Sequence, residues 1–177
     1  ARFMPGRQVL TEKQAKEINV DPKYFKDTSD SVLITSRGGN RYERTFMTSF
    51  IPPGIGARNW VSRTNYPAWN MVQTGPAEMS IYVHKDYAQP TGHLQRYSMR
   101  LDGFASVRSE YAGGELLTRP LKFSGKRLEI NFATSAAGSI RVEIQTADGV
   151  PIPSFFALDC REQIGNEIAR TVSWSEG

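Results

Sequence analysis

The chain has 177 residues, 39% of them hydrophobic and 23% charged, and its formal net charge is +4. This balance is typical of globular proteins, and no apolar run reaches the roughly 20 residues of a membrane span, so we expect no membrane partner. Basic residues are interspersed with acidic ones, which predicts a mildly basic solvated surface and no nucleic-acid partner. The single cysteine, Cys160, excludes an intrachain disulfide.

Residues 1–30 are polar and interrupted, and they predict a connector that contains one short helix. The run from 11 to 18 has the composition of a helix. Thr11 is a suitable N-cap, and Gln14 at the third following position makes a modest capping box.

Residues 31–100 contain evenly spaced short strand patterns separated by glycine and proline turns. Met79, Ile81 and Val83 alternate with polar residues, and the sequence TGPA at 74–77 predicts a tight turn before them. The predicted strands are 31–36, 45–51, 69–73, 78–84 and 93–101. Such spacing predicts an all-β architecture, either a sandwich or a propeller blade.

The segment from Pro52 to Pro67 interrupts this pattern and reads as a long loop. Aromatic faces stack on the C–H faces of sugars, and guanidinium and amide groups bond sugar hydroxyls, so the loop and the residues after it are candidates for a sugar site. The other interpretation is that Trp60 and Tyr66 pin the loop to the core. The candidate substrate-binding residues are Arg58, Asn59, Trp60, Arg63, Tyr66 and Trp69.

Asp102-Gly103 predicts a boundary, after which residues 101–177 read as an antiparallel β-sandwich. The most regular pattern lies at 128–132 and 140–144, where the connection is too short for a helical crossover and therefore predicts a hairpin. Pairing Glu129 with Arg141 favours one register by charge. Further strands are predicted at 104–107, 115–118, 120–123 and 171–174, with a turn at 148–149.

Several runs resemble bacterial glycosyl-hydrolase-like proteins of the invertase and fructanase clan. These runs are 65–69, 74–82, 96–104, 114–121 and 136–144. The resemblance implies a five-bladed β-propeller followed by a β-sandwich, with residues 31–100 as a partial blade. It also implies a fragment cut at both ends, a sandwich that lacks its last strand, and a secreted or periplasmic protein.

Catalytic chemistry is not predicted for this chain. Glycoside hydrolysis uses two carboxyl groups, and in the family that the chain resembles they lie in Asn-Asp-Pro, Arg-Asp-Pro and Glu-Cys motifs, none of which occurs here. His84 and His93 have no companions at metal-ligand spacing, and no cofactor motif is present, so we expect neither metal nor cofactor.

Three functional hypotheses follow from the sequence. The first is the C-terminal part of a glycoside hydrolase, whose sandwich supports a catalytic propeller and which is inactive alone. The second is a non-catalytic carbohydrate-binding module. The third is a structural β domain that forms a homo-oligomer through its incomplete blade, because an open sheet leaves an edge exposed.

Overall fold

The computed structural model describes residues 1–175, which form two compact units. The first is Ala1–Phe104, and the second begins at Ala105. Strands are the main regular elements, and the one α-helix among the described residues is α1 (Glu12–Glu17). The all-β class predicted from the sequence is therefore confirmed. No helix within residues 1–175 has both the length and the apolar character needed to cross a membrane.

Helix α1 begins at the cap that the sequence predicts. The Oγ1 atom of Thr11 accepts a hydrogen bond from the backbone N of Gln14 at 3.2 Å, and Gln14 Oε1 accepts one from the backbone N of Thr11 at 2.9 Å. This reciprocal box pairs N–H groups at a helix end that have no partner within the helix. Strands β1 (Arg2–Met4) and β2 (Thr28–Asp30) lie on either side of the helix in sequence and pair antiparallel.

Removing this cap should cost a measurable share of stability. We expect Thr11→Ala to lower the free energy of unfolding by about 1 kcal/mol, because the N–H of Gln14 loses its acceptor. Thr11→Ser keeps the oxygen and should retain most of that free energy. Denaturant unfolding followed by circular dichroism measures both variants, and an equal loss in both would contradict a role for the cap.

The first 30 residues are more than the polar connector predicted from the sequence, because they supply most of the core of the first unit. Leu10, Ala15, Val20 and Phe25 are buried and form one cluster with Val61, which is completely buried. Ile18, Tyr24, Ala57 and Trp60 pack against this cluster. The four apolar residues recur at every fifth position, a spacing that matches neither the helical nor the strand period. The burial of these four residues therefore could not be predicted from hydrophobic periodicity in the sequence.

A four-stranded antiparallel sheet occupies the second half of this unit. It consists of β3 (Tyr66–Pro67), β4 (Val72–Gly75), β5 (Glu78–Lys85) and β6 (His93–Arg100). Strand β6 pairs with the whole of β5 on one side, and β3 and β4 pair with the two ends of β5 on the other side. The predicted strands at 78–84 and 93–101 are confirmed, and the predicted turn before them forms at 76–77. The strand predicted at 69–73 forms later in the chain, at 72–75. The outer side of β6 has no strand partner among the described residues.

The predicted strands at 31–36 and 45–51 form only isolated bridges, Ser31 with Ile51 and Thr35 with Glu43. Several apolar residues in this stretch remain exposed, including Ile34, Phe46 and Met47. Without an apolar face to bury, nothing stabilises a longer ladder.

The second unit contains the strand pair β7 (Glu129–Ala133) and β8 (Asn166–Thr171), which corrects the predicted hairpin. Glu129 lies opposite Thr171, and the Arg141 guanidinium forms an ion pair with Glu162 at 2.9 Å. Period-two patterns were present at both predicted strands, yet a pattern does not identify the partner strand. The turn at 148–149 is confirmed, with Gly149 at a φ of 80° and a hydrogen bond from Thr146 N to Val150 O.

The core of the second unit is a small cluster around Trp174. Cys160 and Val172 are buried beside it, and the indole Nε1 donates to Val142 O at 3.0 Å. The predicted strands at 104–107, 115–118 and 120–123 do not form, because most of their residues are exposed and find no partner. The described residues of this unit thus hold one two-stranded sheet and isolated bridges, and the sandwich stays a prediction.

Candidate functional site

A depression of about 460 Å³ lies on the first unit, and we call it the polar depression because six of its ten lining residues have polar side chains. This volume is within the range of about 300–1,000 Å³ that is usual for small-molecule sites. Its walls come from the end of α1, the segment 55–59, the end of β5 and the start of β6. The lining residues are Ile18, Ile55, Gly56, Ala57, Arg58, Asn59, Lys85, Asp86, His93 and Gln95.

The conformation of the segment 55–59 depends on one glycine and one side-chain hydrogen bond. Gly56 has a φ of 95°, a backbone conformation that glycine adopts without strain, and a single 3-10 turn follows at Ala57–Asn59. The Asn59 side chain closes the turn by donating to Ile55 O at 2.8 Å. The side chains of this turn therefore occupy defined positions at the rim of the depression.

Arg58 links the wall segments to one another. Its Nη1 donates to Ile18 O at 3.3 Å, to Gln89 Oε1 at 3.3 Å and to Thr91 Oγ1 at 3.1 Å. A guanidinium group has five N–H donors in a planar fork. These three contacts use one nitrogen and hold the fork in place, so that its other donors can serve a ligand.

The connection between β5 and β6 orients two more polar groups. Thr91 Oγ1 donates to the carboxylate of Asp86 at 2.8 Å, and His93 Nδ1 lies 2.8 Å from Thr91 O. A carbonyl oxygen only accepts, so Nδ1 carries the hydrogen and Nε2 is the ring nitrogen available to a ligand. Gln95 is exposed, and its amide both donates and accepts.

Lys85 is the most unusual residue of the lining, because it is only 5% exposed. Its Nζ donates to Oδ1 of the completely buried Asn65, and none of the ion pairs within residues 1–175 includes it. Burial lowers the pKa of Lys85, and the negative charge of Asp86 opposes this shift. A nearly buried lysine without an ion pair is rare, since desolvation disfavours the charged form.

Two of the six predicted sugar-site residues, Arg58 and Asn59, line the depression. Trp60 instead packs against the core cluster of the first unit. This agrees with the alternative in which Trp60 pins the loop to the core. Trp69 is 97% exposed.

Arg63 and Tyr66 belong to a different group of side chains. The Arg63 guanidinium lies over the rings of Tyr24 and Tyr87, 5.1 and 5.6 Å from their centroids, and donates to Tyr87 Oη at 3.2 Å. That hydrogen bond lowers the pKa of Tyr87 and raises that of Arg63. Tyr66 pairs with His84 across β3 and β5, and the His84 ring meets Tyr87 edge to face at 5.2 Å.

Sequence reasoning missed Lys85, Asp86, His93 and Gln95 as site residues. One signal was available for Lys85, because the alternation of Met79, Ile81 and Val83 places position 85 on the same inward face. A charged residue that continues an apolar face indicates either a strand end or a functional group.

Within residues 1–175 no group of three His, Cys, Asp or Glu side chains is placed to hold a metal ion. Comparisons with protein-family models, curated proteins and solved structures found no match to this chain.

Proposed function

We propose that this chain is a non-catalytic carbohydrate-binding β protein and that its sugar site is the polar depression. The supporting observation is the convergence of hydrogen-bonding side chains from three separate segments on one open cavity. A sugar presents hydroxyls that both donate and accept. Arg58 supplies donors, Asp86 supplies acceptors, and Gln95 supplies both.

The apolar part of a sugar also has a place in this proposal. Ile18 and Ile55 line the same cavity, and Ile55 is fully exposed. Aliphatic side chains beside a few directed polar groups are the usual composition of small-molecule sites. The cavity size favours a ligand of one or two sugar rings over a long polysaccharide.

Gln95→Ala is the sharpest test of this site, because Gln95 is exposed on β6 and its removal spares the core. Loss of its hydrogen bonds should weaken binding of a soluble methyl glycoside by about 5- to 10-fold, which corresponds to about 1–1.4 kcal/mol. Isothermal titration across a panel of methyl glycosides measures this change.

Gln73→Ala is the matched control, since Gln73 is an exposed glutamine on β4 of the same sheet and lies outside the cavity. It should bind like the unaltered protein, and so should Trp69→Ala. Loss of binding in Trp69→Ala with no change in Gln95→Ala would move the sugar site to the exposed loop. Absence of binding to every glycoside would overturn the proposal.

A second candidate function is self-association through β6, which is favoured by the lack of a second strand neighbour for β6 within residues 1–175. Concentration-dependent sedimentation would support it, and a strict monomer would remove it. A third proposal is that the chain is the C-terminal part of a glycoside hydrolase, with a propeller and a sandwich. This proposal rests on the sequence resemblance alone.

A further inference from the structure

Lys85 occupies a position that a purely structural side chain rarely takes. It ends β5 next to the completely buried Val83 in register with the core face, and yet it also lines the polar depression. The burial of an ammonium group costs free energy unless a carboxylate compensates. Here the side chain partner is an amide, Asn65.

The charged groups around Lys85 do not compensate for the burial of its ammonium group. Asp86 follows it in sequence, but its carboxylate is engaged by Thr91 and forms no ion pair with Nζ. Arg58 and His93 line the same cavity, and the negative charge of Asp86 opposes the effect of burial on the pKa of Lys85. Burial outweighs the charge of Asp86 and favours the neutral amine, which is the nucleophilic form of lysine.

We propose that Lys85 is a nucleophilic amine that forms an imine with the aldehyde of an open-chain reducing sugar held in the depression. The sugar class rests on the function proposed above. The nitrogen lone pair attacks the aldehyde carbon, and the carbonyl oxygen takes up a proton to give a carbinolamine. The nitrogen then loses its proton and the hydroxyl leaves as water, so that amine and aldehyde yield imine and water without an oxidant or reductant.

The lining provides groups that can move these protons. His93 Nε2 is the ring nitrogen not used by Thr91, and the Asp86 carboxylate borders the same space. Arg58 and Gln95 border the same cavity and can hold the hydroxyls of the sugar chain. The aldehyde reaches Nζ when the Lys85 side chain turns from its buried bond with Asn65 into the cavity.

Reductive trapping tests the proposal on the whole chain. The protein is incubated near neutral pH with a simple aldose and cyanoborohydride, which reduces an imine to a stable secondary amine, and the labelled peptides are identified by mass spectrometry. Each unit by which the pKa of Lys85 falls below the usual value of about 10.4 raises its neutral fraction about tenfold. Because the pKa of Lys85 is lowered by burial, we expect more label at Lys85 than at any other lysine. The internal controls are the exposed lysines Lys13, Lys16, Lys23, Lys26, Lys122 and Lys126.

Asn65→Asp provides a variant that separates chemistry from binding. A carboxylate next to Nζ raises the pKa of Lys85 and keeps it protonated, so trapping should fall to the level of the exposed lysines. Asn65→Asp also loses the two Nδ2 hydrogen bonds to Ser29 O and Asn59 O. Methyl glycosides cannot open to an aldehyde, so their binding together with the circular dichroism spectrum shows that the variant has kept the folded site. Lysine labelling that follows surface exposure alone would overturn the proposal even if methyl glycosides bind. Selective labelling of Lys85 without any glycoside binding would support Lys85 as a nucleophilic amine and would contradict the proposed sugar-binding function.

Discussion

Asn65→Leu should lower the free energy of unfolding of the first unit by about 3–5 kcal/mol, because one buried amide joins three segments of the chain. Its Nδ2 donates to Ser29 O and to Asn59 O at 3.3 Å each, and its Oδ1 accepts from Lys85 Nζ. Leucine has a similar shape and no polar atoms. The variant therefore leaves two carbonyls without these donors and the buried Nζ of Lys85 without its acceptor.

The size of this loss should depend on pH. The pKa of Lys85 is lowered in the folded protein, so the unfolded chain binds more protons between that pKa and the ordinary value of about 10.4. The free energy of unfolding therefore rises with pH across this window. Asn65→Leu removes the hydrogen bond to the charged form, lowers the pKa of Lys85 further and widens the window. The difference between the two proteins should shrink as pH rises towards 10, which urea unfolding at several pH values measures.

Asn19→Leu is the matched control for the backbone. Asn19 has a φ of 54° and Asn65 a φ of 71°, so both substitutions place leucine in the left-handed region, at about 1 kcal/mol. Asn19 is exposed. If the two variants lose the same free energy, backbone strain explains the effect of Asn65→Leu and the buried hydrogen bonds contribute nothing.

Trp174→Ala should lower the free energy of unfolding of the second unit by about 3–5 kcal/mol, the usual cost of removing a buried aromatic side chain. The indole packs with Cys160 and Val172 and meets the Phe155 ring edge to face, with centroids 5.0 Å apart. The substitution opens a cavity in a cluster that has few other buried side chains. Thermal unfolding followed by near-ultraviolet circular dichroism measures the loss.

Two further variants separate packing from hydrogen bonding in this cluster. Trp174→Phe keeps an aromatic ring and loses the donor to Val142 O, so about 1 kcal/mol of its cost should come from the hydrogen bond. Trp69→Ala removes an indole that is 97% exposed and should change stability by less than about 0.5 kcal/mol. A stability loss in Trp69→Ala as large as in Trp174→Ala would show that burial does not decide these values.

Local chemistry made some elements predictable from the sequence. The capping box of Thr11 and Gln14 needs only residues three positions apart, and the turn at 74–77 combines glycine with proline. Both features depend on backbone geometry that neighbouring residues determine. They appear in the structure where the sequence places them.

The choice of partner was not predictable in the same way. Arg141 was expected opposite Glu129, and it pairs with Glu162. Ion pairs at a sheet surface contribute little free energy, so they cannot select one partner among several strands. Burial of Val172 and Trp174 beside β7 removes far more apolar surface from water than an ion pair does. This burial therefore favours the pairing of β7 with β8.

The candidate site was predictable only where its residues are close in sequence. Arg58 and Asn59 follow from the loop that carries them, whereas Lys85, His93 and Gln95 reach the cavity through the pairing of β5 with β6. Arg63 does not line the cavity, because its guanidinium packs over Tyr24 and Tyr87, which lie 39 and 24 residues away along the chain. Such encounters depend on the tertiary fold and leave no local signal.

The core of the first unit also has a consequence during synthesis on the ribosome. Leu10, Ala15, Val20 and Phe25 are made before Val61, which completes their cluster and follows tens of residues later. At about 5–20 residues per second, this delay is on the order of seconds. Four apolar side chains remain in solvent during that time. A chaperone that binds nascent chains would therefore meet the segment 10–25 before its packing partner Val61 has been made.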